Sequence, residues 1–269
     1  MPTQGATVTT GFQFDPALAQ RIEALYRTDD AAKRRQAVLN VLELKPGERA
    51  LDIGTGPGFL ALEMAPRVGP AGRIVGIDTS EPMLQLARNR CSGMSWVELQ
   101  QGDATKLPIP DASFDVAVSV QVFEYVADVM KALSEMHRIL RPGGRAAVVS
   151  TDWDSLVWHS TDKARMEKIL AAFKEHCALT DLPRTLGPKL RQVGFELQDQ
   201  RVILQFNPKF DANSYSYHAI EIIKSYVPGR KGTTDAEAQL WADELRQLGA
   251  RDEYFFCLNQ FSFFATKPL

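Results

Sequence analysis

Two rhythms of apolar residues divide this chain. Short, mostly apolar runs at 49–53, 73–78, 95–99, 114–120 and 145–151 are bounded by glycine, proline or acidic residues, the form of strands buried on both faces of a parallel sheet. Helically spaced apolar positions fill the intervals, so strand and helix alternate, which predicts an α/β fold with helices on both faces of the sheet. Ahead of the first strand, 15–26 and 30–42 carry helical periodicity until Pro46-Gly47 breaks it. Beyond the fifth strand the pattern predicts a helix over 161–177, a short helix ending near Val193-Gly194, a strand over 201–206 and an aromatic strand over 254–266.

The first strand ends in a ligand-type loop. In Arg49-Ala-Leu-Asp-Ile-Gly-Thr-Gly-Pro-Gly-Phe-Leu60 an acid and three alternating glycines separate strand from helix. Such glycines allow sharp turns and let a ligand touch bare main chain, next to the free N–H groups of a helix start. A dinucleotide fingerprint needs its third glycine one place later, where Phe59 stands. Asp52 would repel phosphate but suits an ammonium group. Arg73-Ile-Val-Gly-Ile-Asp78 ends in a second acid, one loop, helix and returning strand later, which places both acids at carboxyl ends of neighbouring strands, where open α/β folds bind ligands. An acid there can accept both hydroxyls of a ribose, so the expected ligand is a nucleoside with a cationic, non-phosphate tail.

Five ordered signals, Asp52-Ile-Gly-Thr-Gly-Pro-Gly58, Gly76-Ile-Asp78, Gln101-Gly-Asp-Ala104, Ser113-Phe-Asp-Val-Ala-Val-Ser-Val120 and Leu140-Arg-Pro-Gly-Gly-Arg145, resemble the class I S-adenosylmethionine-dependent methyltransferases, in particular the ubiquinone/menaquinone and small-molecule group. The resemblance implies a Rossmann-like, seven-stranded, mostly parallel sheet, with a sixth strand parallel and a seventh antiparallel, and S-adenosyl-L-methionine as cofactor. It implies that Gly54, Gly56 and Gly58 admit the methionine moiety and Asp52 receives its ammonium. Asp78 takes the ribose hydroxyls, Met83 lies against adenine, and Asp103 with Ala104 meets the adenine amino group. Thr55, Thr79 and Gly102 accompany them, Ser119, Val120 and Gln121 end the fourth strand beneath the sulfonium, and Tyr26 and Arg35 fold over the cofactor from the N-terminal helices.

The last two strands are joined by more than forty residues, with helices expected near 212–226 and 235–248. A hairpin link normally takes a handful. The chain therefore divides into an N-terminal helical segment (1–45), a cofactor-binding core (46–207 and 251–269) and an inserted helical lid (208–250), whose alternative roles are thickening the fold or meeting a second copy in a homodimer. The stretch Ser150-Thr-Asp-Trp-Asp-Ser-Leu-Val-Trp-His159 should cross the same ligand edge. His159 is the candidate general base, with Asp152 and Asp154 as alternatives or as anchors for a cationic acceptor. Trp153, Trp158, Tyr125, Tyr217 and His218 are the candidate acceptor contacts.

Composition narrows the acceptor. Hydrophobic residues make up 45% of 269, enough for a sizeable core, and the formal charge is −2, so there is no general attraction to nucleic acid. Residues 1–10 have neither a basic start nor an apolar core; a signal peptide is not expected and the expected location is cytoplasmic. No run is long enough to span a membrane. Cys91, Cys177 and Cys257 lack metal-ligand spacing, so no metal is expected. Ser119-Val-Gln-Val122 stands where amino methyltransferases of bases and glutamine carry Asn/Asp-Pro-Pro-Tyr. The expected activity is methyl transfer to a small aromatic or apolar metabolite at O, N or C. The alternatives are a cofactor-binding regulatory protein and a methyltransferase acting on protein or RNA.

Overall fold

A computed structural model describes residues 11, 12 and 15–269. Two helices, α1 (Pro16–Tyr26) and α2 (Asp29–Leu42), precede the sheet. Each starts where the sequence supplies a cap: the Asp15 carboxylate accepts from the Leu18 N–H at 2.7 Å, and Thr28 caps α2. The alternating region follows as β1 (Arg49–Ile53), α3 (Phe59–Val68), β2 (Arg73–Asp78), α4 (Glu81–Arg90), β3 (Val97–Gln101), β4 (Phe114–Val120), α5 (Val129–Ile139) and β5 (Leu140–Thr151). Then come β6 (Val157–Trp158), α6 (Lys163–Phe173), α7 (Pro183–Gln192), β7 (Glu196–Asn207), α8 (Tyr215–Tyr226), α9 (Asp235–Ala250) and β8 (Phe256–Thr266).

The sheet order is β3-β2-β1-β4-β5-β8, with β7 on the far side of β8. Strands β1 to β5 pair in parallel, and β8 runs antiparallel to both β5 and β7. Eight strands form among the described residues where seven were expected. The extra one exists because the chain leaves β5, makes a tight turn at Trp153–Ser155 and returns to pair Val157 and Trp158 with Cys257 and Phe256 of β8. The third strand starts two residues later than its pattern suggested; just before it, the Trp96 carbonyl accepts from the Ile74 N–H at 2.8 Å and the Trp96 indole N–H donates to the Ala65 carbonyl at 3.0 Å. Asp52 pairs with Gly76, Asp78 with Gln101 and Ile53 with Ser119, so the carboxyl ends of β1, β2 and β4 lie side by side.

Apolar packing covers both faces of the sheet. The side chains of α2 and α3 cover one face and those of α5 and α7 the other. A third cluster lies at the strand ends, where α1, α6, α8 and α9 pack with Trp153, Trp158 and Phe256. Its centre is Trp241, fully buried edge-on to Trp158 at 5.5 Å. No helix among the described residues is long and apolar enough to cross a membrane.

Candidate active site

The glycine loop is sewn to the neighbouring strand, because the N–H groups of Gly54 and Thr55 both donate to the Ile77 carbonyl, at 2.7 and 2.9 Å. Its glycines serve different ends. A Cβ on Gly54 would lie 2.1 Å from Val122 Cγ2, and one on Gly58 would lie 2.8 Å from Ala87 Cβ, so these two let neighbouring segments close in. Gly56, at φ +53°, meets only the Tyr26 ring, at 3.8 Å. It is the glycine whose bare face opens into a cavity, and Gly58 does not line that cavity.

That cavity, about 360 Å³, lies against the carboxyl ends of β1, β2 and β4. One end is polar and acidic, with Gly54, Gly56, Asp78, Thr79, Gly102 and Asp103, while Met83 and Ala104 add apolar surface. Each oxygen of Asp78 already accepts one backbone N–H, Oδ2 from Gly56 and Oδ1 from Ser80, both at 2.8 Å. An ionised carboxylate has about four acceptor positions, so capacity remains for a ligand. Burial pushes the Asp78 carboxyl above the usual range, against the pull of those backbone donors. Asp103 is exposed and holds Thr105 through its N–H and hydroxyl at 2.7 and 2.8 Å.

The other end is aromatic: Tyr125, Trp153, Phe173, His176, Tyr215 and Phe256 form its walls, and Ile22, Leu25 and Tyr26 of α1 close over it. Val120, Gln121 and Trp158 also reach the cavity. No lysine or arginine lines it among the described residues. No group of residues suited to hold a metal ion occurs among them either.

Several sequence expectations are corrected by this geometry. His159, the residue after the two-residue β6, is exposed and lines a separate, shallow hollow with Lys163, while Trp158 before it takes the inward position. Asp152 is buried but turned away from the cavity: it caps the turn after β5 and accepts two bonds from Arg184, at 3.0 and 2.9 Å. Asp154 is exposed and bound to Lys174 at 2.5 Å, which holds its carboxyl below the usual range. Arg35 points to Glu63 and to the Tyr26 carbonyl, both at 2.7 Å, so it braces α1 without touching the cavity. Tyr217 packs on Phe210, and His218 donates to the Ala212 carbonyl; neither lines the cavity. Ser119 is wholly enclosed in β4.

Asp52 and Thr55 stand just behind the wall. The Thr55 hydroxyl donates to Asp52 at 2.7 Å, and burial, aided by the nearby Asp78 charge, pushes the Asp52 carboxyl up to about 7. Among the expected residues, Gly54, Gly56, Asp78, Thr79, Met83, Gly102, Asp103, Ala104, Val120, Gln121, Tyr26, Tyr125, Trp153 and Trp158 do line one cavity.

Lining residues outside the candidate contacts include Phe173, Phe256, Tyr215 and His176. Tyr215 had a signal, since with Ala219, Ile222 and Ile223 it falls on one helical face, whereas Tyr217 points elsewhere. His176 had none, for it sits in a short turn after α6. Its Nδ1 donates to the Phe173 carbonyl at 2.5 Å, its ring stacks on Phe173 at 4.0 Å, and burial pulls its pKa down to about 3. It is therefore a neutral part of the aromatic wall.

The family described as "Methyltransferase domain" matches residues 51–148. An uncharacterized 37.1 kDa protein in transposon TN4556 of Streptomyces fradiae is 41% identical over 150 residues, 55% of this chain and 44% of that protein. The demethylmenaquinone methyltransferase of Staphylococcus carnosus is 36% identical over 117 residues, 44% of this chain and 48% of that enzyme. The chain thus spans about half the length of the curated relatives it matches. Among solved structures, phosphoethanolamine N-methyltransferase 2 of Haemonchus contortus, crystallised with S-adenosyl-L-methionine, superposes with a TM-score of 0.64 at 20% identity, covering 96% of this chain and 58% of that one. The cyclase SpnF superposes with a TM-score of 0.60 at 23% identity, covering 89% and 82%. At such identities the likeness shows the fold, a Rossmann-like α/β methyltransferase fold.

Proposed function

This chain carries a class I S-adenosylmethionine-dependent methyltransferase domain, and from that premise we propose that it methylates a small aromatic or apolar acceptor held in the cavity described above. The observation that carries the reading is the cavity's division into an acidic end without any cationic side chain and an aromatic end. Phosphate ligands find no counter-charge there. A ribose diol, an adenine amino group and an ammonium do find acceptors.

In this reading Asp78 accepts the ribose hydroxyls, Asp103 the adenine amino group, and Met83 lies against the base. Gly56 presents bare main chain to the methionine portion, and Asp52, just behind, supplies negative potential for the ammonium. The bound cofactor supplies an electrophilic methyl group on a sulfonium, and displacement there depends on alignment of the acceptor. Tyr125, Trp153 and Phe173 offer flat apolar walls that can order a ring. His176 stays neutral, and Asp152, Asp154 and His159 do not reach the cavity. The acceptor's nucleophile then has to be activated by its own acidity or to carry no proton.

The test is release of S-adenosylhomocysteine across phenols, quinols, amines and carboxylates, with His159→Ala as a control that should match wild type. Turnover confined to flat aromatic or apolar acceptors is the expected outcome. Cofactor binding without turnover on any of them would favour the regulatory reading. Selective turnover on protein or RNA would favour the macromolecular one.

A further inference from the structure

Five of the seven large hydrophobic side chains exposed among the described residues share one surface: Val202, Leu204 and Phe206 of β7, Val157 of β6, and Phe255 just before β8. The register joins them. Phe206 and Val157 both stand opposite Cys257, from either side of β8, and Leu204 and Val202 follow along β7 at the two-residue period of one sheet face. The Phe206 and Phe255 rings meet at 5.5 Å. Each of the five is 41% to 58% exposed. Together they offer on the order of 400 Å² of apolar surface, a size at which a patch is often functional.

Strand β7 is also a sheet edge, paired with β8 alone among the described residues, and only half of that edge is guarded. In its first half Asp199 and Arg201 bring charge, the register slips between Leu197 and Asp199, and Asp199 Oδ1 accepts the Gln200 N–H at 2.8 Å. Charges, bulges and side-chain cover of this kind keep an edge from pairing. Residues 202–206 carry no charge and no slip of register, and Pro208 closes the far end. Within this window the backbone of alternate residues faces outward. Asn259, opposite Leu204, donates its N–H to Ser155 and accepts from the Asp152 N–H, both on the β5 side. In an antiparallel ladder the Leu204 N–H and carbonyl then point away from β8, as do those of Val202 and Phe206. The residues that expose apolar side chains therefore also expose their backbone groups.

We propose that this window is a docking edge for a second copy of the chain, the two β7 strands pairing antiparallel about a two-fold axis at Leu204. The open stretch is symmetric about that residue, so it is its own complement. Leu204 meets its counterpart, Val202 meets the second copy's Phe206, and the outward N–H and carbonyl groups of all three find partners. Just outside the window Asp199 comes opposite the second copy's Lys209, a match of charge. Sliding the strands one way sets Arg201 against Lys209, a like-charge pair, and sliding them the other way sets Phe206 against Gln200, so the register is specified. The apolar patch is about half of the ~800 Å² per partner of a standard interface. Backbone pairing has to supply the rest, and the dimer is weak, with a dissociation constant on the order of 10 µM.

The test is oxidative cross-linking of the full chain in a Cys257→Ser background, which removes the thiol on this face. In a hydrogen-bonded antiparallel pair the facing Cα atoms lie ~5.5 Å apart, within disulfide reach. Leu204→Cys should therefore give a covalent dimer. Val202→Cys, whose counterpart would lie ~14 Å away along the strands, should not, nor should Leu240→Cys on α9, which is equally exposed. Sedimentation of the wild type should show monomer giving way to dimer between about 1 and 100 µM, and Leu204→Lys should stay monomeric with unchanged circular dichroism. A monomeric wild type across that range, equal cross-linking by all three cysteines, or a dimer of Leu204→Lys overturns the proposal. None of these measurements needs a ligand, so the result is independent of the methyl-transfer reading.

Discussion

Asp52 and Asp78 are the same residue type at the ends of adjacent strands, but the structure gives them different tasks. Asp78 faces the cavity with acceptor capacity to spare, while Asp52 lies behind it, bonded to Thr55 and pushed up to about 7. Linkage gives opposite signs for folding and binding. A carboxyl raised on folding contributes stability that is fully present below about 3.8 and is lost as pH rises through about 7. A cationic cofactor, by contrast, prefers Asp52 ionised, so its affinity should weaken as pH falls through about 7. Asp52→Asn should therefore flatten that pH dependence in calorimetry and stabilise the cofactor-free protein at pH ~8 by about 1 to 4 kcal/mol. At this scale the sequence was readable where backbone and side chain act together, as at Asp78, whose strand-end position fixes its direction. It was not readable after β5: nothing local shows that Asp152 is captured by Arg184, or that a two-residue strand turns Trp158 inward and His159 out.

Elements were more legible than side chains, because periodicity and capping act locally. The boundaries of α8 and α9 follow from Ser214 and Thr234 as caps, the latter with Glu237 in a reciprocal capping box. What the pattern could not show was how firmly this insertion is built in. Trp241 of α9 is fully buried against Trp158 and donates to the Met166 sulfur at 3.4 Å, while Tyr215, Ala219, Ile222 and Ile223 of α8 line the cavity. Within 208–250, α8 lines the aromatic end of the cavity and α9 packs in the same cluster, and we propose that this insertion serves as the lid. Trp241→Ala should cost about 3 to 5 kcal/mol in urea denaturation, and because the same cluster includes Tyr215 and Met83, acceptor and cofactor affinity should both fall in the folded fraction. A surface loop would show neither effect.

Across the whole molecule, the sheet order brings residues far apart in sequence to one edge, and the cavity forms where β1 and β4 diverge toward opposite halves of the sheet. That edge was legible from strand ends alone. The aromatic end was legible only in part: Tyr125, Trp153 and Trp158 stood among the candidates, whereas Phe173, His176 and Phe256 come from α6, the turn after it and β8, whose mutual placement depends on packing. The central claim is that the acidic end holds S-adenosylmethionine through Asp78, and isothermal calorimetry on wild type and Asp78→Ala tests it most directly. Two lost hydrogen bonds to a charged group, at roughly 1.5 kcal/mol each, amount to about 3 kcal/mol, or on the order of a hundredfold in affinity. The account predicts binding by wild type and that loss in a variant whose circular dichroism is unchanged; equal affinity in the folded variant, or no binding by wild type, would contradict it.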